Sequence, residues 1–315
     1  MAILKYINNN NKSIELGNAA PFLILTIDGL GSPQNEIYTQ KSPYQDGVTA
    51  THSSLGPRNI VIEGKIIDSN RKNRQAYRDK LLSVFNPKLN GKLIIDLGDV
   101  KRQIDCIVEQ APYFSSKAER NYQDFSISLI APSPFWKDIK ESSIDLVTWI
   151  PNIEFDAVEG FSTEQTPNTW IETVVGSGGF EEFESGFGVG EPIEFGYRLT
   201  KQIVEIENIG DVDAPIRVVF RAHGQVEKPY IQDVETRKLL RVNRTLQAGD
   251  VLEITTEFGN KNVYLNGEKA HHYLDYINST WLQLKPGINL IKYGAESGTE
   301  VLECRLYYTP RYLGV

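Results

Sequence analysis

The stretch RNIVIEGKIIDSNRKNRQAYRDKLLSVFNP, residues 58–87, changes its hydrophobic period halfway along. Its first isoleucines, at positions 60, 62 and 66, follow the alternation of a strand. The apolar residues after them have the spacing of one helix face. They are Tyr77, Leu81, Val84 and Phe85. Ser69 or Asn70 can cap this helix and Pro87 ends it, so the stretch predicts a strand followed by an amphipathic helix.

The opposite face of the predicted helix is basic. Its cations are Arg71, Lys72, Arg74, Arg78 and Lys80. A charged face of this kind is typical of a helix surface in contact with water. It also suits a contact with a neighbouring subunit, and the sequence leaves both interpretations open.

The rest of the chain reads as strands. In the first third, short apolar runs are bounded by Gly, Pro or Asp, as in antiparallel sheets. They are PFLILTIDGLGSP, GKLIIDLGD, RQIDCIVEQAPYF and NYQDFSISLIAPSPFW. From residue 197 onward, short strands alternate with turn residues at the intervals of an antiparallel sandwich. We therefore predict a mostly β fold.

Charge divides the chain near residue 135. Residues 1–135 contain 16 Lys and Arg against 13 Asp and Glu, whereas residues 136–315 contain 17 against 28. This asymmetry and the length of 315 residues predict two domains, 1–135 and 136–315. The acidic second half disfavours nucleic acid as a specific partner, because nucleic-acid affinity depends on cations that neutralise phosphates.

An acidic, glycine-rich insertion is predicted at about residues 155–195, which contain no Lys or Arg. Phe180, Phe183 and Phe187 stand among its Gly and Glu residues. Exposed Phe side chains in such a context are typical of a segment that docks on a partner. An ordinary long hairpin has the same composition, and both interpretations stay open.

Trp281 precedes a predicted turn in the stretch STWLQLKPGINLIKYG. Pro286 fixes φ at the first corner of that turn and Gly287 accepts a positive φ at the second. Alternation places Trp281 off the face of Leu282 and Leu284. Packing in the core or an interface, and stacking on a sugar ring, are the two roles that this position allows.

No residue pattern meets the needs of catalysis. The four His residues accompany no Gly-x-Ser-x-Gly elbow, and nothing singles out a carboxylate pair among the 41 acidic residues. Asp211 and Asp213 have the spacing of Ca²⁺ ligands, but a polar turn suits them better because no third oxygen ligand follows. Cys106 and Cys304 fit two buried thiols. We expect no enzyme activity, metal or cofactor.

The order of these segments resembles the siphophage distal tail proteins. The N-terminal third resembles that family's belt domain in its GLGSP turn, a polar variable loop before Arg58, the RNIVIEG strand, the NRQAYRDKLLSVFNP helix and the closing IAPSPFW. The second half resembles the family's galectin-like or carbohydrate-module-like sandwich in IENIGDVDAPIRVVFRAHG, TWLQLKPGINLIKYGAESG and the terminal YYTPRYLGV. The acidic insertion has no match to the family pattern.

The resemblance implies a belt domain, a β-sandwich with one α-helix, followed by a galectin-like antiparallel β-sandwich. It implies a structural component of a siphophage tail tip, in which a homo-hexameric ring joins the major tail tube protein to the tail-associated fibre or lysin protein. It also implies that receptor-binding proteins attach to this ring, which then acts as the hub for host adsorption.

The same resemblance implies a virion location, in the tail tip or baseplate, after synthesis in the host cytoplasm. Neither a signal peptide nor a run of about 18 apolar residues is found, so we expect no membrane contact. The alternative function is a carbohydrate-binding module of a cell-wall adhesin. A hydrolase accessory domain is a weaker option.

Overall fold

A computed structural model describes residues 3–115, 121–151, 196–200 and 203–315. The described N-terminal residues form ten strands and one helix. They are β1 (Ile3–Asn8), β2 (Ser13–Leu16), β3 (Phe22–Asp28), β4 (Asn35–Gln40), β5 (Thr49–Leu55), β6 (Arg58–Ile67), α1 (Arg71–Val84), β7 (Asn90–Asp96), β8 (Lys101–Phe114), β9 (Tyr122–Ala131) and β10 (Trp136–Asp138). The predicted mostly β class is confirmed.

The N-terminal sheet is antiparallel and closes on itself into a barrel. Its strand order is β2-β1-β7-β8-β9-β6-β3. The two edge strands meet where Gly17 bridges to Leu23, so the walls of the predicted belt domain belong to one curled sheet. Strands β6 and β9 alternate between buried and less buried residues, because successive side chains of a strand point to opposite faces.

Helix α1 packs against the barrel strands β1, β2, β6 and β8. Asn70 is its N-cap, and the Asn70 side chain accepts a backbone N–H of the first turn at 2.9 Å. Leu81, Val84 and Phe85 are buried on the barrel side. The Phe85 ring stacks on Tyr6 with 4.4 Å between ring centroids. The predicted helix is confirmed. Of the two candidate caps, Asn70 is the residue that caps its N-terminus.

The second half forms strands with two short 3-10 helices, His271–Tyr273 and Thr299–Val301. The strands are β11 (Ser142–Asp145), β12 (Val147–Pro151), β13 (Gly196–Thr200), β14 (Ile203–Asn208), β15 (Ala214–Ala222), β16 (Val226–Glu227), β17 (Tyr230–Asp233), β18 (Leu239–Arg241), β19 (Thr245–Leu246), β20 (Val251–Glu257), β21 (Asn260–Leu265), β22 (Glu268–Lys269), β23 (Gln283–Leu284), β24 (Gly287–Gly294), β25 (Leu302–Tyr308) and β26 (Arg311–Tyr312).

Two antiparallel sheets face each other in this half as a sandwich. One has the strand order β11-β25-β15-β20-β21-β22 and the other β14-β24-β17-β18. Phe220 and Tyr293, from opposite sheets, are fully buried in the common core. The predicted antiparallel sandwich is confirmed. Strands β12 and β13, which flank residues 152–195, pair with each other.

The turn at Pro286-Gly287 carries the chain from one sheet of the sandwich to the other. Gly287 has a φ of 90°, as the sequence predicts for the second corner. Strand β23 before the turn pairs with β15, whereas β24 after it pairs with β14 and β17. Leu282 and Leu284 are buried in the core.

The chain passes between barrel and sandwich twice. Strand β10 pairs with β8, so Trp136 is the last large side chain of the barrel core before the sandwich begins. At the other end of the sandwich, β26 returns to pair with β10. The division into 1–135 and 136–315 stays a prediction for the limits of the folding units. No helix in the described part of the chain is long and apolar enough to cross a membrane.

Candidate interaction surfaces

Strands β4 and β5 form a two-stranded ribbon, residues 35–55, that pairs with no other strand in the part of the chain that the structure describes. All six residues of β4 are exposed. Ile37 and Tyr38 remain 60% and 51% exposed, on opposite faces of the ribbon. An isolated two-stranded ribbon with exposed apolar side chains has little stability of its own in water. Its composition therefore suits contact with another surface.

The tip of the ribbon carries a fully exposed aromatic residue. Tyr44 has a φ of 64°, in the left-handed region, and its side chain makes no close packing, with 107% relative exposure. Val48, in the same loop, is 58% exposed. The sequence indicated a polar variable loop here. The run of β-branched and aromatic residues Ile37, Tyr38 and Thr39 in NEIYTQ is the sequence signal for a strand.

A shallow groove of about 220 Å³ lies on the outer face of the barrel. Leu25 and Tyr113 flank it and are 51% and 60% exposed, and Phe125 is buried at its floor. Gly64 is required there, because a Cβ at position 64 would come within 2.5 Å of the Phe125 ring. Glu63 and Asp124 also line the groove. The groove shares no residue with the ribbon, so the barrel presents two different surfaces with exposed apolar side chains.

Trp281 lies at the edge of the sandwich and packs against its core as a partly buried residue. The His271 ring meets the Trp281 ring edge-on at 5.8 Å between centroids, and the Lys261 ammonium lies 5.7 Å from the Trp281 centroid. Both ring nitrogens of His271 form hydrogen bonds. Nδ1 lies 3.2 Å from the Tyr276 hydroxyl, and Nε2 lies 2.9 Å from the Lys261 carbonyl oxygen. These contacts favour packing for Trp281, while sugar stacking stays a prediction.

Phe180, Phe183 and Phe187, the predicted docking residues, lie outside the described residues.

Two cations on the basic face of α1 contact other parts of the barrel. The Arg74 guanidinium donates to the Asp68 carbonyl oxygen at 2.6 Å, and that of Arg78 lies 4.6 Å from the Phe114 ring centroid. The remaining cations of that face are exposed, and its contact with a neighbouring subunit stays a prediction.

The predicted polar turn at Asp211 and Asp213 holds the C-terminal strand. The Asp211 carboxylate accepts the backbone N–H of Leu313 at 2.9 Å, and the Asp211 backbone N–H donates to the Arg311 carbonyl oxygen at 2.8 Å. Within the described ranges, no group of three or more His, Cys, Asp or Glu side chains could hold a metal ion.

Comparison with known families identifies the two halves separately. Residues 9–131 match the family described as "Phage tail protein RIFT-related domain", and residues 209–312 match "Siphovirus-type tail component, C-terminal domain". The first match covers the barrel and the second covers most of the sandwich. The chain is therefore a tail component of the siphophage class.

The structural comparison concerns the fold. The crystal structure of SPP1 Dit, titled a paradigm of the hub adsorption apparatus in phages that infect Gram-positive bacteria, matches with 11% identity and a TM-score of 0.66 over 98% of each chain. A phage P2 baseplate structure, in its activated conformation with Ca, matches with 10% identity and a TM-score of 0.49 over the full length of both chains. No curated protein matches by sequence search.

Both halves thus occur in the order and with the fold of one protein family. The chain belongs to the siphophage distal tail protein family.

Proposed function

We propose that this chain is the hub of a siphophage tail tip and that six copies form a ring. The observation that carries the proposal is the pair of unlike apolar surfaces on the barrel, the ribbon and the groove. A ring needs a heterologous contact, in which one patch of each subunit meets a different patch of the next. A ribbon that pairs only within itself and a separate groove supply two such patches.

In this proposal the ribbon of one subunit lies in the groove of the next, where Ile37 or Tyr38 meets Leu25 and Tyr113. Each subunit would then cover apolar residues that are exposed in the single chain. Burial of apolar area is the main favourable term in protein association, which gives the contact its driving force. The role is structural, and no catalytic step is part of it.

Within the virion tail, one face of the ring would meet the major tail tube protein and the other the tail-associated fibre or lysin protein. Receptor-binding proteins would attach to the outward-facing sandwich, and we propose Phe180, Phe183 and Phe187 as the docking residues. Replacement of these three residues by Ser is expected to leave ring mass unchanged and to abolish capture of the receptor-binding protein. Capture at the parental level would contradict this assignment.

The test of the ring is mass by light scattering over a wide concentration range, with negative-stain images of the largest species. A ring of six 35.5 kDa chains would have a mass of about 210 kDa. The expected result is this mass at high concentration together with ring-shaped particles. A chain that remains a monomer at millimolar concentration would contradict the hub.

A further inference from the structure

Residues 311–315 leave the sandwich and bind the barrel. Strand β25 of the sandwich ends at Tyr308, and after Thr309 and Pro310 the strand β26 joins the barrel sheet through β10. In register, Tyr312 lies opposite Trp136. We call residues 311–315 the clasp.

A buried arginine of the barrel anchors the backbone of the clasp. Arg58 is 2% exposed, and its guanidinium donates to the Leu313 carbonyl oxygen at 2.6 Å. The same guanidinium donates to the carbonyl oxygens of Gly29 at 2.7 Å and Pro134 at 2.8 Å, so it links the clasp to two barrel loops. Because a buried charge needs hydrogen-bond partners, loss of the clasp would leave part of this guanidinium unsatisfied.

Further anchors fix the end of the clasp. Arg102 donates to the Gly314 carbonyl oxygen, and its guanidinium lies 3.6 Å from the centroid of the Tyr312 ring. Tyr312 is 8% exposed and belongs to the barrel core. The Val315 backbone N–H donates to the Leu30 carbonyl oxygen at 3.2 Å. The clasp thus supplies both a core side chain and hydrogen bonds to a domain from which it is remote in sequence.

An ion-pair chain runs beside the clasp across the domain boundary. Lys137 of the barrel pairs with Asp105 at 3.1 Å and with Glu257 of the sandwich at 3.0 Å. Arg311 of the clasp pairs with the same Glu257 oxygen at 2.9 Å. Arg311 is 7% exposed, so this ion pair offsets the cost of burying its charge.

Next to the clasp, a cleft of about 340 Å³ lies between barrel and sandwich, and charged side chains line it from both sides together with apolar ones such as Ile216 and Tyr307. Lys92 and Asp105 come from the barrel, and Arg217 and Glu257 from the sandwich. Polar interfaces of this kind do not fix the relative position of two domains by packing alone.

We propose that the clasp makes the barrel and the sandwich a single cooperative unit. The clasp would fix the position of the sandwich on the barrel. This inference goes beyond the proposed hub function and does not rest on ring formation.

The two cysteines allow a test in the intact chain, because each domain contains one. Cys106 belongs to the barrel core and Cys304 to the sandwich core, and each is 2% exposed. Burial raises the pKa of Cys106 to about 12 and raises that of Cys304 well above its usual value. Neither thiol is therefore expected to react at pH 8 until its own domain unfolds.

The experiment is thiol labelling against urea concentration, with each cysteine quantified by peptide mass spectrometry. In the parent protein both thiols are expected to become reactive at one midpoint. In a variant that lacks residues 313–315 the two midpoints are expected to separate by about 1 M urea, since each domain then unfolds at its own stability. Glu257→Gln, which removes the two ion pairs of Glu257 with Lys137 and Arg311 and keeps every core residue, is expected to separate them by about 0.5 M.

Phe258→Ala is the matched control, because Phe258 neighbours Glu257 in the sequence, is 80% exposed on the sandwich and takes no part in the ion pairs. Its midpoints are expected to coincide. Coincident midpoints in both clasp variants would overturn the proposal. The proposal would also be overturned if the two midpoints of the parent protein were as far apart as those of the clasp variants. If the shortened chain does not fold, the Glu257→Gln result decides alone.

Discussion

Replacement of Ile37 by Ser tests the ribbon as a subunit contact. Full burial of an Ile side chain contributes about 1.5–3 kcal/mol. Ile37 is 60% exposed in the single chain, so about 1–2 kcal/mol remains to be gained when a neighbour covers it. Loss of this term is expected to weaken each contact about five- to thirtyfold. The fold of the chain itself should change little, because the ribbon packs only on itself.

The assay is the concentration at which half of the protein is in rings, measured by mass photometry or light scattering. Tyr38→Ser, on the opposite face of the ribbon, reports which face the neighbour covers. Val100→Ser is the matched control, since Val100 is 37% exposed and belongs to neither the ribbon nor the groove. Its half-assembly concentration is expected to equal that of the parent protein.

The complementary change on the groove is Leu25→Ser combined with Tyr113→Ser. This variant should weaken ring formation as the ribbon variant does. An equimolar mixture of the two variants is expected to stop at dimers, because only one of the two possible contacts between them is intact. Unchanged ring assembly in both ribbon variants, or full rings in the mixture at parental concentrations, would refute a ribbon–groove contact.

Three further predictions concern stability and the sandwich edge. Phe85→Ala removes a fully buried ring and is expected to lower the free energy of unfolding by about 3–5 kcal/mol in urea titrations. Hydrogen bonds from Asn278, and then from Arg241, lower the pKa of Asp275 to about 2. This value lies below the unfolded pKa of about 3.9, so the carboxylate stabilises the fold above that pH and loses its effect as pH falls through about 2. The stability deficit of Asp275→Asn should therefore be constant from pH 7 to 5 and shrink toward pH 2, and a deficit that persists at pH 2 would contradict the assignment. Trp281→Ala is expected to cost roughly 2–4 kcal/mol through lost packing, with no glycan binding by the parent on an array; parental binding that the variant loses would restore the sugar-stacking interpretation.

Several elements were predictable because their causes are local. The helix required only the spacing of Leu81, Val84 and Phe85 and a nearby cap, and the structure contains that helix at Arg71–Val84. The turn at Gly287 followed from the residue pair at its corners. Strand alternation was visible wherever one face of a strand is buried, as in β6.

The candidate surfaces were less predictable, because the exposure of a residue depends on which distant parts of the chain pack against it. Ile37 and Ile60 have the same side chain, yet Ile37 is 60% exposed and Ile60 is buried. The sequence around Ile37 does not show whether another strand covers this residue. Trp281 gave two possible roles from alternation alone. The contacts of its ring with His271 and Lys261, which lie earlier in the chain, favour packing.

The sequence by itself determined the mostly β class, the α-helix at Arg71–Val84, the turn at Pro286-Gly287 and the resemblance to distal tail proteins. Each of these depends on residues close together or on their order along the chain. Tertiary structure alone decided how the barrel closes at Gly17 and Leu23 and where the clasp binds. The hydrogen bond from Arg58 to Leu313 joins residues 255 positions apart. No local pattern encodes such a pairing, since it exists only when both domains have folded and brought their surfaces together.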